Sequence, residues 1–378
     1  MTTKLIPLAV ALAVAGSAGA QQVVKIGHVS PTSGPVAHLG KDMEHAARMA
    51  VEELNARGIA LGGQKVTFQL VAEDDASDPK QGTAVAQKLV DARVKGVIGH
   101  LNSGTSIPAS KIYNEAGIPQ ISPATTAPQY TRQRFPGAFR VVADDSKLGG
   151  TLARYAVDTL KAKNIAVIDD RTTYGQGVAM EFVKGAKGPG VKIVGKEFTS
   201  ATATDYTAIL TSIRARKPDL VFFGGMDAVG GPMLKQMKNL GITARFMGGD
   251  GVCTDALGRL AGDAVGAEGK VICAEAGGVT GAEQEKTMAD FRARFRQKTG
   301  QDVQLYAPYV YDAVMVMAAA MQKAGSAEPT KYLPELKKIA YRGVTGDIRF
   351  DSKGDIENGA LTLFTYKDGK KAKLDVIR

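Results

Sequence analysis

Short β-rich runs alternate with helical segments along nearly the whole chain, and this rhythm restricts the fold more than any other feature. Residues 23–30 (VVKIGHVS) form a β-rich run closed by the turn residues Pro31, Ser33 and Gly34. Over 39–56 the apolar positions Met43, Ala46, Ala47, Ala50, Val51 and Leu54 recur at helical spacing until Gly58. Val66, Phe68 and Leu70 alternate as in a strand, and Asp78-Pro79 supplies a cap and a first-turn proline for the next helix. A strand at 96–100, a helix at 106–115 and a strand at 118–122 follow. Past residue 145 the rhythm resumes, with strands at 165–169, 191–198 and 220–223 and helices up to 161, from 175, and over 206–216 and 229–240. Such alternation builds parallel-rich sheets covered on both faces, and two such sets make two α/β lobes. The 378-residue length suits about two domains. Residues 282–340 read as mostly helical, and short strands near 348–350 and 361–366 complete the lobes rather than form a third.

The first twenty residues stand outside that rhythm. Lys4 precedes an apolar run from Leu5 to Ala15, and Ala18-Gly19-Ala20 supplies small residues at the cleavage positions. This is the pattern of a secretory signal peptide, too short to span a bilayer, which needs about 20 apolar residues. The expected mature chain starts at Gln21 and is exported to the periplasm. In that oxidising compartment the pair Cys253 and Cys273 reads as a disulfide, with two unpaired buried thiols as the alternative.

Several chemistries find no support. The formal net charge is +10, yet the longest Lys/Arg runs are pairs such as Lys337-Lys338, a solvated basic surface rather than a nucleic-acid stripe. There is no G-x-S-x-G elbow, no P-loop and no G-x-G-x-x-G after a strand, so neither catalysis nor a cofactor is expected. His38 and His45, near Asp42 and Glu44, read as surface histidines rather than metal ligands. Asp74, Asp75 and Asp78 read as caps and turn formers. No metal site is expected.

What the strand ends do carry is polar, Gly-rich loops: SPTSGP (30–35), HLNSGT (100–105), SPATTAP (122–128), DDRTTYG (169–175), GGMD (224–227) and GGDG (248–251). In open α/β sheets ligands bind at those ends. Ser103 lies between a strand and a helix start, where free N–H groups and the helix dipole favour an anion. Thr126 sits in the neighbouring loop. Asp250 ends a strand of the other lobe between Gly249 and Gly251. An anion site on one lobe facing a carboxylate on the other fits a bound zwitterion; helix capping and turn formation account for the same residues equally well.

At these loops the chain closely resembles the periplasmic branched-chain amino acid binding proteins, the leucine/isoleucine/valine receptors of ABC importers. The matching segments are SGPVAHLG (33–40), EDDASDPKQG (73–82), VIGHLNSGTSIPAS (97–110), ISPATTAP (121–128), TYGQG (173–177), FGGMD (223–227) and FMGGDGV (246–252). The resemblance implies two Rossmann-like lobes joined by three crossovers and closing like a flytrap. After the signal peptide at 1–20, the expected division is an N-terminal lobe of 21–143 plus 275–346 and a C-terminal lobe of 144–274 plus 347–378. Ser103 corresponds to the hydroxyl that binds the ligand carboxylate, and Ala124 and Thr126 to the acceptors for its ammonium. Asp250 falls where an acidic residue, usually Glu, pairs with that ammonium. Leu39, Leu101 and Tyr174 fall where the family contacts or covers the side chain. Met226 replaces a Tyr of well-known members. The implied protein is a monomeric, non-enzymatic receptor that delivers an aliphatic amino acid to a membrane permease and its ATPase. A receptor for an amide, urea or aromatic acid, or an exported sensor without transport, are the alternatives.

Overall fold

The computed structural model describes residues 22–377, so the signal-peptide segment 1–20 lies outside the described residues. The chain opens with β1 (Gln22–Ser30), α1 (Ala37–Ala56), β2 (Ala60–Leu61), β3 (Gln64–Asp74), α2 (Pro79–Asp91), β4 (Val97–Gly99) and α3 (Ser103–Glu115). Next come β5 (Gln120–Ser122), α4 (Gln129–Arg132) and β6 (Ala138–Arg140). These strands form one sheet in the order β2-β3-β1-β4-β5-β6, parallel throughout except for β2.

The second set runs α5 (Asp145–Arg154), β7 (Asn164–Asp169), α6 (Thr173–Gly185), β8 (Lys192–Phe198), α7 (Thr207–Ala215) and β9 (Leu220–Gly224). It continues with α8 (Asp227–Asn239), β10 (Arg245–Gly248), α9 (Asp255–Ala261) and β11 (Val271–Glu275). The chain then returns to the first set. Helices α10 (Ala282–Thr299), α11 (Ala307–Ala324) and α12 (Pro329–Lys337) follow, and α11 packs along α1. After the ribbon β12 (Tyr341–Gly343) and β13 (Gly346–Ile348), the strands β14 (Leu361–Lys367) and β15 (Lys370–Ile377) join the second sheet. Its order is β15-β14-β11-β10-β9-β7-β8, parallel except for β14 and β15. The chain therefore passes between two α/β lobes three times.

Local chemistry explains the main boundaries. The Asp78 side chain accepts from Gln81 N at 2.8 Å to cap α2, with Pro79 in its first turn. Gly300 and Gly325 end α10 and α11 in the left-handed conformation that glycine takes without strain. The central strand β9 (LVFFG) is buried at every position, as a parallel strand covered on both faces must be. Strands β6 and β10 were too short, at three and four residues, to show a period in the sequence. The strand expected near 348–350 instead pairs with Tyr341–Gly343 outside both large sheets. Two helix starts also differ: α1 begins at Ala37, placing His38 in its first turn, and α3 begins at Ser103 itself.

Cys253 and Cys273 form a disulfide across a separation of 20 residues. Both are fully buried. Closing a loop of this size stabilises a fold by about 3 kcal/mol through the unfolded state. Here it ties the turn that carries Asp250 to β11, inside the second sheet.

Candidate functional site

The site lies where the carboxyl ends of both sheets' parallel strands face each other. Ser103 is the first residue of α3, so its N–H and that of Gly104 have no acceptor within the helix and present a partial positive charge. Ser103 Oγ accepts from Ala127 N at 3.3 Å, which leaves its own proton free to donate. The two loops of this lobe are tied together. Ser106 and Thr125 share a 2.5 Å hydroxyl contact, and Ser122 Oγ donates to His100 O at 3.0 Å while accepting from Thr125 N at 2.9 Å. Beneath them the buried Arg140 donates to the carbonyls of Thr125 and Ala127 at 2.9 and 3.0 Å and pairs with Asp355 at 2.6 Å. A guanidinium fork of this kind fixes the loop that carries Ala124 and Thr126.

The opposite wall is acidic. Asp250 follows β10, and its two oxygens accept from the hydroxyls of Tyr174 at 2.8 Å and Tyr306 at 2.9 Å. Tyr174 belongs to α6, whereas Tyr306 precedes α11 on the other lobe, so Asp250 already bridges the cleft. Tyr306 is aimed by Asp42 of α1, whose carboxylate accepts from the backbone of Gln304, Leu305 and Ala307 at 2.9, 3.2 and 2.9 Å. Gly251 permits the close approach: a Cβ there would lie 2.6 Å from Gly225 O and 2.8 Å from Met226 Sδ. Burial pushes the Asp250 carboxyl from 3.8 up to about 6, with the two tyrosine hydroxyls only partly offsetting it.

Between the walls lies a small cavity lined by Leu101, Ser103, Ala124, Tyr174, Met226 and Asp250, with Asn102 and Tyr306 completing it. Thr126 and Leu39 do not line it. The Thr126 hydroxyl is buried nearby without a hydrogen-bond partner, and Leu39 is fully buried in the core. A wider, more open groove runs along the crossover segments 141–143, 276–284 and 345–360; none of these site residues borders it, and its rim mixes exposed acids and bases.

Tyr306 and Asp145 had no signal in the sequence. Asp145, the first residue of α5, is fully buried, and neither carboxylate oxygen has a hydrogen-bond partner. Burial raises its carboxyl well above the ordinary carboxylate range and the Asp250 charge raises it further, with Thr126 and Arg140 opposing. Asp250 thus faces a helix N-terminus across the cavity, and the buried Asp145 carboxyl, outside the cavity lining, lies close enough to feel its charge. That arrangement offers donors to an anion at one end and negative charge to a cation at the other. Other candidate acids and bases are spent on structure: Asp74 accepts from Thr32 and Ala76, and Asp75 holds the buried His100.

The chain is similar to known proteins over nearly its full length. The periplasmic binding protein family matches residues 23–371. The Leu/Ile/Val-binding protein homolog 1 of Brucella abortus is 35% identical over 99% of this chain and 98% of its own. A leucine-, isoleucine-, valine-, threonine-, and alanine-binding protein of Pseudomonas aeruginosa is 33% identical over 99% of each chain. Among solved structures, the substrate-binding protein of a branched-chain amino acid transporter from Streptococcus pneumoniae, in complex with isoleucine, superposes with a TM-score of 0.84. It is 26% identical, over 94% of this chain and 99% of that one. A match over nearly the full length, on a fold of two α/β lobes with a polar cleft between them, places this chain in the periplasmic binding protein family.

Proposed function

We propose that the protein is a non-catalytic periplasmic receptor that captures an aliphatic, branched-chain amino acid and delivers it to the permease of an ABC importer. Residues 21–143 with 275–346 act as one jaw, and 144–274 with 347–378 as the other. The observation that carries the reading is the polarity of the cleft, a helix N-terminus with Ser103 on one side and Asp250 on the other. A zwitterion satisfies both ends at once. Its carboxylate accepts from Ser103 and the start of α3. Its ammonium donates to Asp250, to the Ala124 carbonyl and to Thr126, with Asp145 adding negative charge behind. The side chain then lies against Leu101, Met226 and the ring of Tyr174, while Leu39 supports this wall from the core. The names of the relatives point to the same ligand class.

Selectivity follows from that apolar end. Met226 is flexible and adapts to irregular shapes, and one methylene in such a pocket is worth only about 1–3 kcal/mol. An unpaired buried charge is far more costly. In calorimetric competition, leucine, isoleucine and valine are therefore expected to bind with affinities within about two orders of magnitude, and glutamate, lysine and arginine not to compete. Tight binding of a charged side chain, with leucine failing, contradicts the assignment. So does preferential binding of benzoate or an amide, which redirects it to the other ligand classes on this fold.

A further inference from the structure

His38 and Asp227 meet across the cleft at its rim, apart from the groups assigned to the ligand. His38 is in the first turn of α1, which packs on β1, β3 and α11; Asp227 begins α8, which packs on α9. His38 Nε2 lies 2.8 Å from Asp227 Oδ2. The Asp227 side chain is fully buried, and that of His38 is 27% exposed. Thr254 donates to the same Oδ2 at 2.5 Å, and Oδ1 has no partner.

We infer that His38 and Asp227 form an interlobe latch, made when the lobes close and broken when they part. The inference rests on the capture reading above, because a latch matters only to lobes that close on a ligand. A contact present in one state and absent in the other shifts the equilibrium toward the state that has it. The pair is polarised in the favourable sense for Asp227, whose carboxylate sits at a helix N-terminus and has a single hydroxyl donor besides the imidazole. A buried carboxylate so placed has few donors to replace the imidazole when the lobes part. The nearby ionisable groups have other partners: Tyr306 donates to Asp250, Tyr366 to the carbonyls of Val252 and Thr254, and Lys371 pairs with Glu275 at 2.5 Å and donates to Cys253 O at 3.1 Å. On α1 itself Asp42 is committed to the backbone of 304–307, and Lys41 is exposed.

Loss of the contact therefore favours the open form and speeds release. A variant that keeps Asp250 and every other group assigned to the ligand, and replaces only His38, isolates that effect.

The test is stopped-flow release of L-leucine from wild type, His38→Ala and His38→Gln. His38→Ala is expected to release leucine about tenfold faster with little change in the association rate, as is usual for contacts formed after encounter. His38→Gln keeps a donor toward Asp227 and should release leucine more slowly than His38→Ala. Equal release rates for wild type and His38→Ala, or for His38→Ala and His38→Gln, overturn the latch. A wild type that does not bind leucine counts instead against the capture reading. The latch is then read without ligand, by solution scattering: wild type more compact than His38→Ala supports it, and equal radii overturn it.

Discussion

Asp250→Asn is expected to weaken leucine binding by more than a hundredfold while making the ligand-free protein more stable at pH 8. The loss follows from the ion pair. Leaving an ammonium without its buried partner costs about 3–5 kcal/mol, and about 1.4 kcal/mol is tenfold in affinity. The gain follows from the raised carboxyl. Its pKa moves from 3.8 to about 6 on folding, so between these values the folded state binds more protons than the unfolded one. Stability then falls as pH rises through that window, and the penalty is fully present above it. An amide removes the penalty, which a shift of this size sets at about 3 kcal/mol as an upper figure. Denaturant titrations of both proteins at pH 5 and pH 8, beside calorimetry with leucine, check the two halves. A variant that binds leucine as wild type does removes Asp250 from the site; one that loses binding and stability together indicates collapse of the Tyr174–Asp250–Tyr306 bridge.

Asp145→Asn is expected to show the same pair of effects with a different balance. Its carboxyl is raised by burial and by the Asp250 charge, with Thr126 and Arg140 opposing. A carboxyl raised on folding costs the folded state more as pH rises, so the variant should gain stability relative to wild type with increasing pH. Binding of leucine should fall by about tenfold, since an acidic group beside Asp250 and Thr126 is lost. Unchanged affinity would remove Asp145 from the site.

The parts of this site that were legible in the sequence share one physical feature: they lie in loops at strand ends whose composition is unusual. Ser103, Ala124 and Asp250 stand among Gly, Ser, Thr and Pro at the carboxyl ends of runs that read clearly as strands. Topology then brings those ends together around one cavity. The cysteine pair was legible for a different reason, the redox state of an exported chain. Asp145 was not legible because Asp144-Asp145 at a helix start reads as capping. Asp144 does cap α5, accepting from Lys147 N at 3.0 Å, and nothing local shows that its neighbour turns inward. Tyr306 was hidden by distance, being aimed at Asp250 by Asp42, more than 260 positions earlier. His38 reads as a surface histidine until the second lobe is in place, because its partner Asp227 is 189 positions away. Side chains that act across the cleft depend on contacts that no local pattern encodes.

The central claim is that each jaw grips one charged end of the same small molecule. Calorimetry with L-leucine beside its two halves, 4-methylpentanoate without the ammonium and 3-methylbutylamine without the carboxylate, tests it directly. The account predicts that leucine binds and that each half loses at least about a thousandfold, because each leaves one buried charged or dipolar wall without its partner. An acid that binds as tightly as leucine would show that Asp250 and Asp145 do not hold an ammonium, and an amine that does so would show that Ser103 and the start of α3 do not hold a carboxylate.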